Sequence, residues 1–278
     1  MTRILAALLG GILLCSSGHV LAQDYTDAQR GQAMDFAISS ATQVLYHEIG
    51  HLFVAEFGLP VLGKNEDTAD NIATLMLLEG GEDFADQVLY DAAQAWYLSP
   101  FNGDNPPDDA TLIDEHSLDK QRAFSIVCLM VGNSPEYYAQ IATDYGLDAD
   151  RQQKCGDIYR QSSASWASVL EPNKLGDREL VGTITVTYED PGDYTAEMEA
   201  MQADQFLDYA AQVVSENYLL PRDLQFKATQ CGTANAFYSS GDSTLTFCYE
   251  FIRHLAELYL SNGMAEDDAG AGEDDEAE

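Results

Sequence analysis

The feature that constrains this chain most is an apolar helical segment, residues 44–55, that carries two histidines and a glutamate. Its centre reads H-E-I-G-H, with the pattern H-E-x-x-H, from His47 to His51. Because an α-helix has about 3.6 residues per turn, the two histidines lie on one face and can bind the same metal ion. Glu48 lies about 100° around the helix, beside that ion, where it can accept a proton from water. The segment therefore predicts a buried metal-binding helix.

A second helical pattern, beginning at Asn65, supplies the expected third ligand. A catalytic zinc typically has three protein ligands and an open position for water. Glu66 and Asp70 are four residues apart, so two carboxylates share one helix face and repel each other unless a positive group faces them. Zinc on Glu66, with Asp70 accepting a hydrogen bond from a histidine ring, removes this conflict. We therefore expect one Zn²⁺ per chain, bound by His47, His51 and Glu66.

These residues carry a resemblance to known proteins. The two motifs resemble those of the thermolysin-type zincins, in which the second glutamate is the third zinc ligand and the aspartate supports a histidine. Nearly the whole chain after residue 22 resembles a family of exported bacterial metallopeptidases, whose second half carries C-G-x-x-N-A-F-Y, here from Cys231, and C-Y-E, here from Cys248. The resemblance implies a gluzincin-type zinc metallopeptidase that acts on a peptide or protein substrate.

The N-terminal residues predict export. A short basic start, Met1-Thr2-Arg3, is followed by the apolar residues 4–14 and by Val20-Leu21-Ala22. This is the pattern of a secretory signal peptide, residues 1–22, cleaved after Ala22. It is too short to span a membrane as a mature helix, and no later segment is apolar enough to do so. We expect an exported protein, periplasmic or extracellular, with no integral membrane span.

Four cysteines remain beyond the signal peptide: Cys128, Cys155, Cys231 and Cys248. An even number in an oxidising compartment predicts two disulfides. Three pairings are open to the sequence, and we favour the sequential one, Cys128–Cys155 and Cys231–Cys248. A zinc site formed by the four cysteines is the alternative, but no C-x-x-C spacing supports it.

The chain is strongly acidic, with 13 Lys and Arg against 47 Asp and Glu and a net charge of −34. Phosphates would be repelled, so nucleic acid is not expected as a partner. A solvated acidic surface is the simplest interpretation, while a saline habitat or cationic substrates remain alternatives. Residues 263–278 are mostly Gly, Ala, Asp and Glu and predict a disordered acidic tail.

The remaining patterns predict an α+β fold. Residues 23–170 read as a mainly helical zinc-binding region, because apolar residues recur at helical spacing. Residues 171–262 read as a small α/β region with a disulfide-bridged hairpin, because alternating segments appear between helical ones. Since these strands follow the metal helix, whereas the sheet precedes it in thermolysin-like enzymes, we predict a zincin-like fold with a rearranged, permuted strand order. The predicted strands are 183–188, 224–229, 234–238 and 244–249.

Several further residues are candidates for the site. The N-A-F-Y segment at 235–238 resembles the edge strand by which thermolysin-like enzymes hold a peptide, so Asn235, Ala236 and Tyr238 are candidate substrate-binding residues. A hairpin remote from the metal is the alternative. His116, or a tyrosine such as Tyr238, is a candidate donor to the oxyanion, with a surface or helix-capping role for the histidine as the alternative. Arg122 is a candidate partner for an acid near the metal.

These patterns together predict metal-assisted hydrolysis in which Glu48 is the general base and then the general acid. One alternative is a non-catalytic zincin-like module with a structural zinc. Another is a zinc hydrolase of esters or of cell-wall peptide. The substitution Glu48→Gln separates an enzyme, which should lose activity and keep its zinc, from a binding module.

Overall fold

The computed structural model describes residues 25–99 and 113–265. The predicted signal peptide, residues 100–112 and nearly all of the predicted acidic tail lie outside the described residues. Within them the protein is mostly helical with one mixed four-stranded sheet, which confirms the α+β class. No helix in this part of the chain is long and apolar enough to cross a membrane.

Most of the described helices precede the sheet in the chain. The long helix α1 comes first, and five more described helices lie between it and the first described strand, whereas the last three helices alternate with or follow the strands. In chain order the elements are α1 (Asp27–Phe57), α2 (Asn65–Glu79), α3 (Glu82–Leu98), α4 (Asp119–Asn133), α5 (Ala139–Asp144), α6 (Ala149–Leu170), β1 (Ile184–Tyr188), α7 (Thr195–Ala203), α8 (Phe206–Asn217), β2 (Leu224–Thr229), β3 (Ala236–Ser239), β4 (Thr244–Cys248) and α9 (Tyr249–Ser261).

Helix α1 lies at the centre of the fold. It begins at a capping box, in which the Thr26 hydroxyl accepts from the Gln29 main-chain N–H and the Gln29 side chain accepts from the Thr26 N–H. It ends at Gly58, whose positive φ of 61° is the usual left-handed helix cap. Between these ends α1 packs against α2, α3, α9 and β3. It is therefore buried on several sides, as its apolar sequence predicts.

A glycine inside the H-E-x-x-H motif sets the spacing between α1 and α2. A Cβ atom on Gly50 would lie 2.9 Å from the Cα of Ala69, which is closer than side-chain carbons pack. The two helices therefore approach each other at a point where neither has a bulky side chain. Glu66 lies one turn before Ala69 on α2 and is brought against the histidines of α1 by this approach.

The sheet has the order β1-β2-β4-β3, with β1, β2 and β4 parallel and β3 antiparallel to β4 at one edge. The Cys248 N–H donates to the Asn235 carbonyl, and Ala236 pairs with Phe247. In antiparallel pairing, hydrogen-bonded and non-hydrogen-bonded residues alternate. Ala236 and Tyr238 therefore turn their main-chain groups away from β4, where the Ala236 N–H donates to the Asn235 side chain and the Tyr238 N–H faces Glu48 of α1.

Both favoured cysteine pairings are present in the structure. Cys128 on α4 is bridged to Cys155 on α6, and Cys231 is bridged to Cys248 at the end of β4. The second bridge fastens the base of the β3–β4 hairpin. Two disulfides are compatible with an exported protein. The division into regions 23–170 and 171–262 stays a prediction.

One predicted element is wrong in its extent. The sequence predicts a single helix over 198–219, whereas the structure has α7 and α8 with a break at Asp204 and Gln205. Gln205 has a φ of 52°, in the left-handed region, which interrupts the helix. No glycine or proline marks this position, so the sequence pattern carried no signal for the break.

Candidate metal centre and cleft

Three donor atoms converge between α1 and α2. His47 Nε2 lies 3.0 Å from His51 Nε2 and 3.1 Å from Glu66 Oε2, and His51 Nε2 lies 3.0 Å from the same oxygen. Tetrahedral ligands at zinc bond lengths of about 2.0–2.1 Å are separated by about 3.3 Å. Two imidazoles and one carboxylate are also a donor set found in catalytic zinc sites. The triangle therefore fits a single Zn²⁺.

The His47 ring is oriented by a buried charge network. Its Nδ1–H donates to Asp70 at 2.7 Å, which leaves the lone pair of Nε2 for a metal. Asp70 in turn accepts two hydrogen bonds from Arg122, both 2.8 Å long. Burial raises the pKa of Asp70, but the charge of Arg122 and the hydrogen bonds from His47 and Arg122 together outweigh burial and hold the pKa well below its usual range. Asp70 thus stays ionised next to His47. It is also the acid near the metal site with which Arg122 pairs, as predicted from the sequence.

The second histidine has a partner of its own. The side-chain amide of Asn65 lies 3.2 Å from Nδ1 of His51. An asparagine amide offers either a donor or an acceptor at such a place. Its nitrogen, Nδ2, is the atom nearest Nδ1. Rotation of the amide by 180° brings its oxygen to the same place, where it accepts from Nδ1–H and leaves the Nε2 lone pair of His51 facing the other two donors. Sequence reasoning assigned no role to Asn65, although the residue opens the N-E-x-x-A-D motif.

In this cluster His47 holds a proton more tightly than a free histidine, whereas Glu66 loses its proton more readily than a free glutamate. Burial lowers the pKa of His47, but its hydrogen bonds to Asp70 and Glu66 outweigh burial and raise the pKa to about 9. Hydrogen bonds from His116, His47 and His51 hold the pKa of Glu66 well below its usual range. Metal ligands must be deprotonated, so metal binding here is coupled to proton release.

Glu48 is a buried carboxyl group in the same cleft. Burial raises its pKa, and the main-chain N–H of Tyr238 faces its carboxylate and acts in the opposite direction. A carboxyl group whose pKa is raised towards neutrality suits a residue that accepts a proton and later returns it. Because Tyr238 belongs to β3, Glu48 lies between the metal helix and the edge strand.

His116 reaches the centre from the segment before α4. Its Nε2 lies 3.0 Å from Glu66 Oε2, while its Nδ1 and its main-chain N–H both lie within 3.0 Å of Asp114 Oδ1. Lys64 donates to the carbonyl of His116 at 2.9 Å. His116 is not a member of the three-residue donor group, and its side chain is half exposed. It therefore lies at the mouth of the cleft, held by Asp114, a residue that sequence reasoning did not single out.

The metal donors, Glu48 and the N-A-F-Y segment line one cleft of about 480 Å³. The hairpin is therefore not remote from the metal, and that alternative is wrong. The roles of these residues in binding a substrate stay predictions. The sequence-predicted residues that line the cleft are His47, Glu48, His51, Glu66, His116, Asn235, Ala236 and Tyr238, and Arg122 also lines it.

A larger cavity of about 690 Å³ adjoins this cleft on the side of the N-terminal half of α1. The residues that line both are the apolar Val44, Trp96 and Phe251 and the polar His116 and Arg122. Much of the larger cavity is lined by apolar side chains of α1, α3 and α9, with Leu255 and Leu258 among them. A side chain of a bound molecule that extends from the metal cleft into the larger cavity would therefore contact mainly apolar side chains.

Comparison with known proteins agrees with this geometry. A family model described as "Putative metallopeptidase" matches residues 13–170 and 188–277, which include the donor triangle and the N-A-F-Y segment. No curated protein and no solved structure matches the chain. Because the model matches most of the chain, the protein belongs to this metallopeptidase family.

Proposed function

We propose that the protein is a gluzincin-type zinc metallopeptidase that is exported and hydrolyses peptide bonds. The observation that carries the proposal is the triangle of His47, His51 and Glu66 donors, 3.0–3.1 Å apart, in one cleft with the buried carboxyl of Glu48. A Zn²⁺ ion bound there supplies a Lewis acid that polarises a carbonyl and lowers the pKa of water to about 7. Family membership supports a hydrolase of this kind.

Glu48 moves the proton in this proposal. It accepts a proton from the attacking water and passes it to the leaving amine, acting first as base and then as acid. Burial raises its pKa, which favours acceptance of the proton from water. The Tyr238 N–H faces the Glu48 carboxylate and restricts its position. A step of this kind typically contributes about 10²- to 10⁴-fold to the rate.

His116 is the proposed donor to the developing oxyanion. Asp114 holds its Nδ1, and Nε2 points into the cleft beside Glu66. The hydrogen bond to Glu66 raises the pKa of His116, so the ring can carry a proton on both nitrogens. A protonated Nε2 then donates to the oxygen of the scissile carbonyl, where charge develops.

The edge of β3 that faces away from β4 is the proposed binding site for the substrate main chain. Ala236 and Tyr238 turn their main-chain groups towards this edge, as the pairing register requires. A peptide that adds to it as a further strand replaces the Asn235 side chain as the acceptor of the Ala236 N–H and gains main-chain hydrogen bonds that do not depend on its sequence. Its scissile bond would then lie between β3 and α1, beside Glu48.

The direction of β3 suggests which side chain enters the larger cavity. The strand begins near the larger cavity, since Ala234, two residues before it, lines that cavity. It ends near Glu56, since Arg222 donates hydrogen bonds both to Glu56 and to the carbonyl of Ser240, the residue after the strand. Antiparallel pairs are the commoner kind. An antiparallel peptide would direct the residue after the scissile bond towards the apolar cavity. We therefore expect a preference for a large apolar residue at that position.

The test is hydrolysis of a library of fluorogenic peptides by the zinc-loaded wild type and by Glu48→Gln. Glu199→Gln is a matched control, because Glu199 is an exposed residue of α7 outside the cleft. We expect cleavage before large apolar residues, a loss of about 10²- to 10⁴-fold in Glu48→Gln, and full activity in the control. All three proteins should bind equal amounts of zinc.

Two results would contradict the proposal. If Glu48→Gln cleaves as fast as the wild type, Glu48 is not the base. If the zinc-loaded wild type cleaves no peptide, the protein is a binding module or a hydrolase of another bond, and ester and cell-wall peptide substrates distinguish these two.

A further inference from the structure

A second buried carboxylate lies on the metal helix, in its last turn. Glu56 accepts two hydrogen bonds from Arg222, at 2.8 and 2.5 Å, and one from the Tyr238 hydroxyl at 2.6 Å. Its side chain is only 5% exposed, although Arg222 reaches solvent. The catalytic scheme above uses neither Glu56 nor Arg222, so their presence beside the cleft requires another explanation.

The position of Glu56 is unfavourable for an isolated carboxylate. The C-terminal end of a helix carries partial negative charge, and a buried anion is costly unless it is paired. The hydrogen bonds from Arg222, followed by that from Tyr238, hold the pKa of Glu56 below its usual range in spite of its burial. A buried ion pair adds little net stability compared with an apolar pair, so stability alone does not account for it.

The contacts of Glu56 join the metal helix to the edge strand. Tyr238 meets α1 twice, since its main-chain N–H faces Glu48 and its hydroxyl donates to Glu56. Arg222 adds a third connection, because it also donates to the Ser240 carbonyl at 2.7 Å, just beyond the end of β3. The strand is thus tied to α1 along one side of the cleft by polar contacts that have defined lengths and directions.

We propose that Glu56 is a positioning residue which, with Arg222 and Tyr238, fixes the edge strand β3 at a set distance from the metal helix. This inference rests on the proposed function, because the fixed distance matters when a peptide occupies the space between β3 and α1. The same contacts hold the Tyr238 N–H against Glu48. A displacement of about 1 Å in such a site can lower the rate by about 10²-fold.

The chain offers a closely matched control. Glu197 on α7 is also nearly buried, 6% exposed in its side chain, and accepts two hydrogen bonds from Arg253, at 2.7 and 3.1 Å. That pair joins α7 to α9 and contributes to neither cavity described above. Glu197→Gln therefore breaks the same kind of ion pair as Glu56→Gln, away from β3.

The experiment compares Glu56→Gln, Glu197→Gln and the wild type, all loaded with zinc. The measurements are kcat and KM for a cleaved peptide, and hydrogen–deuterium exchange of the segment 234–240. We expect kcat/KM to fall by about 10- to 100-fold in Glu56→Gln, with faster exchange in 234–240. In Glu197→Gln, kcat/KM and the exchange rate of 234–240 should each change less than about twofold. The zinc content should be equal in the wild type and the two variants.

Equal effects of the two variants on kcat/KM, or unchanged exchange in Glu56→Gln, would overturn the positioning role. If the proposed function is wrong, the wild type itself cleaves no peptide, so this result is distinguishable from failure of the positioning role. Exchange decides the inference in that case: faster exchange of 234–240 in Glu56→Gln alone supports the attachment of β3 to α1, and equal exchange in both variants refutes it.

Discussion

The pair formed by Arg122 and Asp70 offers the most quantitative test of the buried network behind the metal site. Arg122 is 7% exposed, makes two 2.8 Å hydrogen bonds to Asp70 and stacks on the Trp96 ring at 3.7 Å. Arg122→Met keeps an unbranched side chain against the ring and leaves the buried charge of Asp70 without its guanidinium partner, with the hydrogen bond from His47 retained. The substitution therefore isolates the electrostatic part of the contact.

The expected loss follows from these contacts. Two hydrogen bonds to a charged group contribute about 1.5–3 kcal/mol each. The removal of one partner of a buried ion pair costs about 3–5 kcal/mol, which agrees with that sum. For a chain of this size, about 2–4 °C of Tm corresponds to 1 kcal/mol. We expect Arg122→Met to lower the free energy of unfolding by about 3–5 kcal/mol and the Tm by about 6–20 °C.

The assay is urea unfolding at a fixed free zinc concentration, because bound metal stabilises the native state. A double-mutant cycle with Asp70→Asn isolates the pair, and the double variant should lose at least about 2 kcal/mol less than the sum of the single losses. Arg253→Met is the control, since Arg253 also pairs with a glutamate and stacks on a tyrosine but is more exposed. A loss below about 1 kcal/mol for Arg122→Met, or additive single losses, would refute the reasoning.

Three other predictions concern packing, the hairpin and pH. Gly50→Ala places a Cβ 2.9 Å from the Cα of Ala69, so it should lower the free energy of unfolding by about 1–3 kcal/mol and weaken zinc binding. Denaturant unfolding and a zinc titration measure the two effects. Unchanged zinc affinity would contradict the role of Gly50 in the approach of α1 to α2. Replacement of both Cys231 and Cys248 by serine removes a bridge across 17 residues and should lower the free energy of unfolding by about 3 kcal/mol in urea; an unchanged midpoint would contradict it. Burial raises the pKa of Asp91 above 3.8, so the native state binds this proton more tightly than the unfolded chain does. The free energy of unfolding of the wild type, relative to that of Asp91→Asn, should therefore increase as the pH falls from neutral towards 3.8. A difference between the two proteins that does not change with pH would refute this prediction.

The metal donors could be predicted from sequence because their arrangement is mostly local. The spacing of His47 and His51 fixes their common face through helix geometry alone. Glu66 and Asp70 also share a helix face, and one short turn brings that helix back to α1. The approach of the two helices depends on packing between Gly50 and Ala69, but both residues lie inside the motifs that were recognised.

The contacts by which Glu56, Arg222 and Tyr238 join β3 to α1 could not be predicted in the same way. Glu56 is 166 residues from Arg222 and 182 residues from Tyr238 along the chain. No periodicity of the sequence links residues at such separations, and each of the three is an ordinary surface residue type. Asp114 was missed for a related reason, because its contact with His116 depends on the conformation of an irregular segment. Contacts made by tertiary folding, rather than by helix or strand repeat, are the ones that sequence reasoning did not find.

The most direct test of the central claim is the zinc content of the purified, folded protein, measured by elemental analysis for the wild type, Glu66→Ala and the neighbouring control Asp67→Ala. The account predicts about one zinc per chain in the wild type and in the control, because the triangle of donors has one centre, and a sharp loss in Glu66→Ala. A folded wild type that binds no zinc, or a Glu66→Ala variant that keeps all of it, would contradict the assignment of this centre.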